Sequence, residues 1–290
     1  MDSLQDVGAV QDAAGMARRE RWRVLIKTPT FMIGLAIVLF WIGCALFGRS
    51  LVPFDPYAQD ILNALAPPSA THWFGTDQLG RDVFSRVIVG ARDILTVAPL
   101  ATAIGLAAGV ILGLVTGYFR GLVDGIVSRV IDALLAVPLV IVSLLAIAAT
   151  GASTASVVIV IGIVFTPLVA RTVRAAVLSE HTLDYIAAAK VRNEHVPQIL
   201  LGEILPNIMP SILVEGTVRL GYAIFTVATL SFIGFGIQPP SPDWGLVISE
   251  NYGLIDGGIW WTVLFNALAI ASLVVGVNLL ADAFHEALAT

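Results

Sequence analysis

Glu215 and Arg219 stand four residues apart inside an apolar run. That spacing puts both side chains on one helix face. Charges within a membrane-spanning helix face a bundle interior or a cavity. The two read either as an intramembrane ion pair or as part of a translocation pathway. Asp132 has Arg129 one helical turn earlier and reads as a structural pair. His72, His181, His195 and His285 are scattered, with no two at metal-ligand spacing, so no metal site is expected. The lysines are Lys27 and Lys190, and neither lies in a G-x-x-x-x-G-K-[ST] phosphate loop. The chain therefore cannot be an ATPase. H-E-x-x-H and G-x-S-x-G are also absent. These residue types predict no catalytic centre and no cofactor bound by this chain. Cys44, the single cysteine, excludes an internal disulfide and reads as a small packing residue.

The stretch that mixes charge, small residues and scattered apolar positions is 182–206, TLDYIAAAKVRNEHVPQILLGEILP. Leu183, Tyr185, Ile186 and three successive alanines favour a short helix. Asn193 tolerates the left-handed conformation that ends helices, and Pro197 suits the first turn of a second. The expectation is helix, tight turn, helix, with the second helix running 198–205 and ending at Pro206. Alanines would let a partner backbone approach closely. The bland alternative is an ordinary amphipathic loop.

These residues must be positioned by a chain whose solvent is lipid. Hydrophobic residues make up 57% and charged residues 13%, with mean hydropathy +0.89; soluble domains carry roughly 25% charged residues. A net charge of −5 without a basic patch argues against nucleic acid. Six apolar segments are expected as spans, near 31–47, 94–119, 126–149, 156–173, 208–235 and 259–284, since about 20 apolar residues cross a bilayer as helix. The runs do not alternate as barrel strands would. Pro99, Pro138 and Pro167 fall within or beside spans, where proline can kink a helix. Eleven basic residues fall on one side of this arrangement and four on the other, which places both termini and the 182–206 segment in the cytoplasm. The chain divides into a basic N-terminal segment, 1–29, and a transmembrane domain, 30–290. That domain has external loops at 48–93 and 236–258 and a cytoplasmic segment at 180–206. Residues 77–92 read as an amphipathic helix lying on the membrane, with Trp73 and Phe74 suited to an interface. The loop at 236–258 reads as packing over the mouth of a pathway.

DYIAAAKVRN followed by EILPN resembles the "EAA" coupling motif of ABC-importer permeases. Asp184, Tyr185, Ala188, Ala189, Lys190, Leu205, Pro206 and Asn207 match it. Ala187 stands where the motif's Glu usually is, and Asn193 where its Gly usually is; the first change removes a charge that members often present to the ATPase. Three more stretches resemble the dipeptide/oligopeptide/nickel branch: HWFGTDQLGRDVFSRVIVGAR, SFIGFGIQPPSPDWG and DALLAVPLVIVSLLAIAA. With NLLADAF near the end, the resemblance covers about 31–284 and marks the second, C-type permease of such a system.

The resemblance implies an all-α, six-span permease of the type I importer fold. It implies ATPase coupling through Asp184, Tyr185, Ala188, Ala189, Lys190, Asn193, Leu205 and Pro206. Implied partners are a second homologous permease, one or two ABC ATPase subunits that hold ATP and magnesium, and an extracytoplasmic peptide-binding protein. The cell membrane is the implied location. The rival class is an ion-gradient-driven secondary transporter, which predicts intramembrane carboxylates and related halves; only Glu215–Arg219 answers to it.

Overall fold

A computed structural model describes residues 28–289; the basic cluster within 1–27 lies outside them. Among the described residues the fold is helical, with a single isolated bridge between Thr76 and Asp82. Helix α1, Pro29–Leu51, starts at a proline whose missing N–H costs nothing in a first turn. After the 52–82 loop, α2 runs Val83–Phe119. Its 37 residues reach ~55 Å at ~1.5 Å per residue, well beyond the ~30 Å hydrocarbon core. Asp82 caps it, accepting from the Ser85 N–H at 2.8 Å. Helices α3, Gly121–Leu135, and α4, Leu139–Thr150, follow; then α5, Thr154–Glu180, capped by Ser153. The short α6 is Asp184–Val191. Helix α7 spans Val196–Phe232, α8 is Trp244–Asn251, and α9 is Trp261–Ala289.

Five of these helices are long and apolar enough to cross a membrane, and the α3–α4 pair makes a sixth span if taken together. The expected third span is not one straight helix. It bends by 90° between α3 and α4. Pro138 has no N–H to donate to the Leu134 carbonyl, which the Val137 N–H reaches at 3.4 Å instead. Pro99 and Pro167 sit inside α2 and α5 without breaking them. Those two helices pack against each other along their length, and that packing holds both through their prolines.

The α2–α5 contact rests on glycines at 105, 109, 113 and 117, one every fourth residue. A Cβ added at Gly109, Gly113 or Gly117 would lie 2.5–2.6 Å from the Cβ of Val169, Val173 or Val177 respectively. Glycine therefore sets the distance between the two backbones, as small residues do at membrane helix pairs. The second departure from expectation is at 198–206. No helix ends at Pro206. The chain passes through π-helical turns, Ile199–Ile204, and continues into the fifth span. Proline at 206 cannot donate to the Gly202 carbonyl and its ring crowds it, so the ladder widens and Leu205 N–H reaches back to Leu200 O.

Candidate functional site

The chain order puts the 182–206 segment at one end of the bundle and the 52–82 and 236–258 loops at the other. Helix α6 ends by a local rule. Asn193 takes φ +57°, its N–H bonds Lys190 O at 3.0 Å, and Glu194 N–H bonds Ala189 O at 3.2 Å. These are the two bonds of a Schellman end, with asparagine in the place glycine usually fills. His195 N–H then donates to Gln198 Oε1 at 3.1 Å as the next helix begins.

The side chains of α6 divide between two faces. Ile186 and Ala189 are fully buried, in an apolar cluster with Val173, Val177, Ile199, Ile204 and Ile208. Ala189 thus faces its own bundle and is not available to a partner backbone. Asp184, Ala187, Ala188 and Lys190 are exposed, with Leu183 at 47% and Val191 at 87%. Tyr185 is half-buried, and its hydroxyl donates to Glu180 Oε2 at 2.5 Å, tying α6 to the end of α5. Burial, then Glu180, raises its pKa. Lys190 Nζ lies 3.2 Å from His181 Nε2 and 5.6 Å from the centre of the Tyr118 ring at the end of α2. Burial and then the Lys190 charge lower the His181 pKa. Leu205 joins the buried cluster's edge, while Pro206 is exposed within α7. Arg192 bridges Glu194 at 2.7 Å and Glu203 at 3.2 Å across the turn. The sequence reading missed Arg192, Glu203, Glu180 and His181. Their charges were visible in the sequence; their pairing depends on the turn bringing α6 back over α7.

At the opposite end the expected surface helix at 77–92 is absent. The helix begins only at Val83, and the charges before it are buried rather than laid on a membrane. Asp77 is fully buried; it receives Arg81 Nε at 2.6 Å and the Leu79 and Arg81 N–H groups. Arg81 also reaches Glu250 at 3.1 Å. Arg86, also fully buried, donates to Pro56 O and Ser241 O at 3.2 Å each. Once paired, charges like these are cheaper inside than unpaired, so the alternation of charged and apolar residues marked a buried clasp. Trp244 is buried against α2, its Nε1 donating to Val87 O at 2.8 Å, and Gly90 admits the Pro242 carbonyl where a Cβ would lie 2.2 Å away. The 236–258 loop is therefore docked on the head of α2. Phe74 is half-buried and stacks on Phe265 at 3.8 Å between ring centres; Trp73 is 57% exposed.

Glu215 and Arg219 do meet, Oε1 to Nε at 2.6 Å. Asp132 does not pair with Arg129. Its neighbour is Arg171 of α5 at 3.8 Å, both largely exposed, because α3 lies alongside α5. The strong link there is Arg174 to Asp124, a two-bond pair at 2.5 and 2.6 Å.

Fold and site together define a polytopic helical membrane protein with a tethered helical segment between two spans. The chain matches the family model described as the binding-protein-dependent transport system inner membrane component over residues 109–290. It also matches the N-terminal TM domain of oligopeptide transport permease C over residues 18–68. It is 37% identical over 270 residues to a dipeptide transport system permease protein of Alkalihalophilus pseudofirmus, covering 93% of this chain and 88% of that protein. It is 33% identical over 276 residues to a di/tripeptide transport system permease protein of Pseudomonas aeruginosa (93% and 91%). A glutathione transport system permease protein of Escherichia coli is 38% identical over 274 residues (93% and 89%).

The chain belongs to the inner-membrane permeases of binding-protein-dependent ABC importers, in the branch of the C-type peptide permeases. It is a multi-pass membrane protein and an ABC-importer permease, not an ion-gradient-driven carrier. Permease subunits of this class are non-catalytic, and they work with another permease, an ATPase and a binding protein.

Proposed function

We propose that this chain carries dipeptides or oligopeptides through the membrane, paired with a second homologous permease and driven by one or two ABC ATPase subunits. The 182–206 end lies in the cytoplasm, consistent with the basic-residue asymmetry. There, α6 docks in a groove of an ATPase. ATP and magnesium stay on that partner, and no cofactor is bound here. An extracytoplasmic binding protein delivers the cargo at the other end. The peptide relatives support the cargo class.

The observation that carries the reading is the division of α6. Its buried face and tethers fix it to the ends of α2 and α5, while Leu183, Ala187, Ala188 and Val191 form an outward surface of small and apolar groups. A displacement of α6 would pass through Tyr185–Glu180 into α5, and through the glycine contact into α2. Asp184, Tyr185, Lys190, Asn193, Leu205 and Pro206 act in this picture by shaping and holding the segment. Ala187 lacks the usual acidic group at its position; Asp184, exposed one turn earlier, is the carboxylate on the same helix, and Glu194 and Glu203 are each paired with Arg192.

The test is Ala188→Asp, which puts an unpartnered charge on the outward surface without touching the buried face. The ATPase should no longer co-purify with the permease, and ATP-driven peptide uptake in reconstituted vesicles should fall. Retention of both would overturn the assignment.

A further inference from the structure

The residues Glu215, Arg219, Tyr222, Thr226 and Thr229 follow one another on α7 at steps of four, three, four and three. Those steps keep them on one helix face. It is a polar stripe along a span, and the exposed groups of α1 supply the contrast. On α1, Met32, Leu39, Phe40, Leu46 and Phe47 are among the large side chains turned outward, and they are apolar, as lipid requires. On α7 the outward groups are mixed: Leu213 and Phe225 are exposed as on α1, but between them Tyr222 of the stripe is 57% exposed close to the middle of the span. An exposed phenol there, next to an ion pair, is expensive against lipid and cheap against water or cargo.

The details of the stripe suit a solute with a carboxylate and amide groups. Glu215 engages Arg219 through Nε, which leaves the Nη pair for a second acceptor. The guanidinium is held 5.4 Å over the Tyr222 ring. Thr229 spends its hydroxyl proton on Phe225 O at 2.8 Å, so its oxygen remains as an acceptor for an N–H donor, while Thr226, buried, bonds Tyr222 O at 2.8 Å and faces the bundle. At the end of the helix, Phe232 meets Tyr252 of the 236–258 loop edge to face, 5.7 Å between ring centres. The loop that clasps α2 thus also reaches the end of the stripe.

We infer that this face of α7 is a wall of the solute path and that Arg219 is the contact for the carboxylate of a passing peptide. The inference rests on the importer reading above and adds to it the surface and the recognised group. Positions 222 and 229 face water in the assembled importer, and the fixed guanidinium favours cargo with a free C-terminus.

Cys44 is buried, so a Cys44→Ala background gives a chain without cysteine for accessibility measurements. The importer, with its partner subunits in proteoliposomes, is labelled with a membrane-impermeant methanethiosulfonate. Tyr222→Cys and Thr229→Cys should react readily and be protected during uptake of a dipeptide, while Leu39→Cys on α1 should stay unreactive. The double variant Glu215→Gln/Arg219→Gln, which removes both charges together, should lose uptake of a free-acid dipeptide by about tenfold more than uptake of its C-terminal amide. Arg219→Lys should restore part of the difference. Failure of positions 222 and 229 to label, in an importer that still drives uptake with ATP, overturns the wall and leaves the importer reading intact. Equal loss of acid and amide uptake overturns the role given to Arg219. A wild-type complex without ATP-driven uptake would instead remove the reading on which both rest.

Discussion

Two helix pairs in this chain are built on opposite rules. In α2–α5, glycines at four-residue steps bring the backbones together, and α5 buries Val157, Val160, Ile161, Phe165, Val169, Val173 and Val177. In α3–α4, the chain turns by 90° at Pro138, and Ile131 is the buried residue of α3. The first pair is a strut joining the α6 segment to the clasp at the other end. The second leaves most of its surface unfilled by its own chain, and is held by the Arg174–Asp124 pair and by Ile147 of α4, buried in the main core. The difference teaches that this subunit is stiff where a displacement must travel and open where another subunit or lipid completes it.

The comparison can be broken most severely at the head of the strut. Asp77→Ala leaves Arg81 and Arg86 buried without their shared carboxylate; breaking such a pair costs about 3–5 kcal/mol. Thermal unfolding of the detergent-solubilised protein should drop sharply, with loss of hydrogen-exchange protection at the start of α2. A matched pair of glycine variants sharpens the contrast itself. Gly113→Leu forces a side chain against Val173 and should cost about 1–3 kcal/mol. Gly125→Leu on α3 meets nothing within 4 Å and should leave the melting temperature nearly unchanged. Equal effects of the two would remove the distinction between strut and open pair. Asn193→Ala tests the turn that aims α6: a side chain without a local hydrogen bond at φ +57° costs roughly 1–2 kcal/mol of local strain. The readout is fraying of α6 by hydrogen exchange, with Asn193→Gly expected to hold it.

The smallest effect depends on pH. Asp243 caps α8 through the Leu246 N–H at 2.9 Å, and its Oδ2 has no partner. Burial raises its carboxyl from 3.8 to about 6. The docked loop therefore binds the proton more tightly than the unfolded chain does. The resulting stabilisation is complete below pH 3.8 and is lost as pH rises through about 6. Exchange protection across α8 should be higher at pH 5 than at pH 7.5, and Asp243→Asn should flatten the difference.

Much of this was written in the sequence. Apolar runs gave the spans because lipid imposes one length on every crossing helix. The α6 turn was legible because Asn193 obeys a local rule. The strut was legible too, in glycines 105, 109, 113 and 117, but was overlooked. Other features were not open to local reading. Arg81 and Arg86 alternate with apolar residues as on a surface helix, and only the return of the 236–258 loop with Glu250 and Ser241 makes them internal. Pro138 breaks its helix whereas Pro99 and Pro167 do not, because tertiary packing decides whether proline's local preference prevails. Ala188 and Ala189 look alike in the motif, yet one faces out and the other in; that follows from how α6 lies on Val177 and Ile204, not from residue type.

The account stands on the outward surface of α6 being the seat of an ATPase. A photoreactive residue at Val191, with a second variant at Val123 on α3 as control, tests this in the assembled complex. Cross-links from position 191 to a subunit carrying a nucleotide-binding phosphate loop, changing in yield when ATP binds, are the predicted result. No cross-link from position 191 to such a subunit, in membranes where ATP-driven uptake is intact, would contradict it.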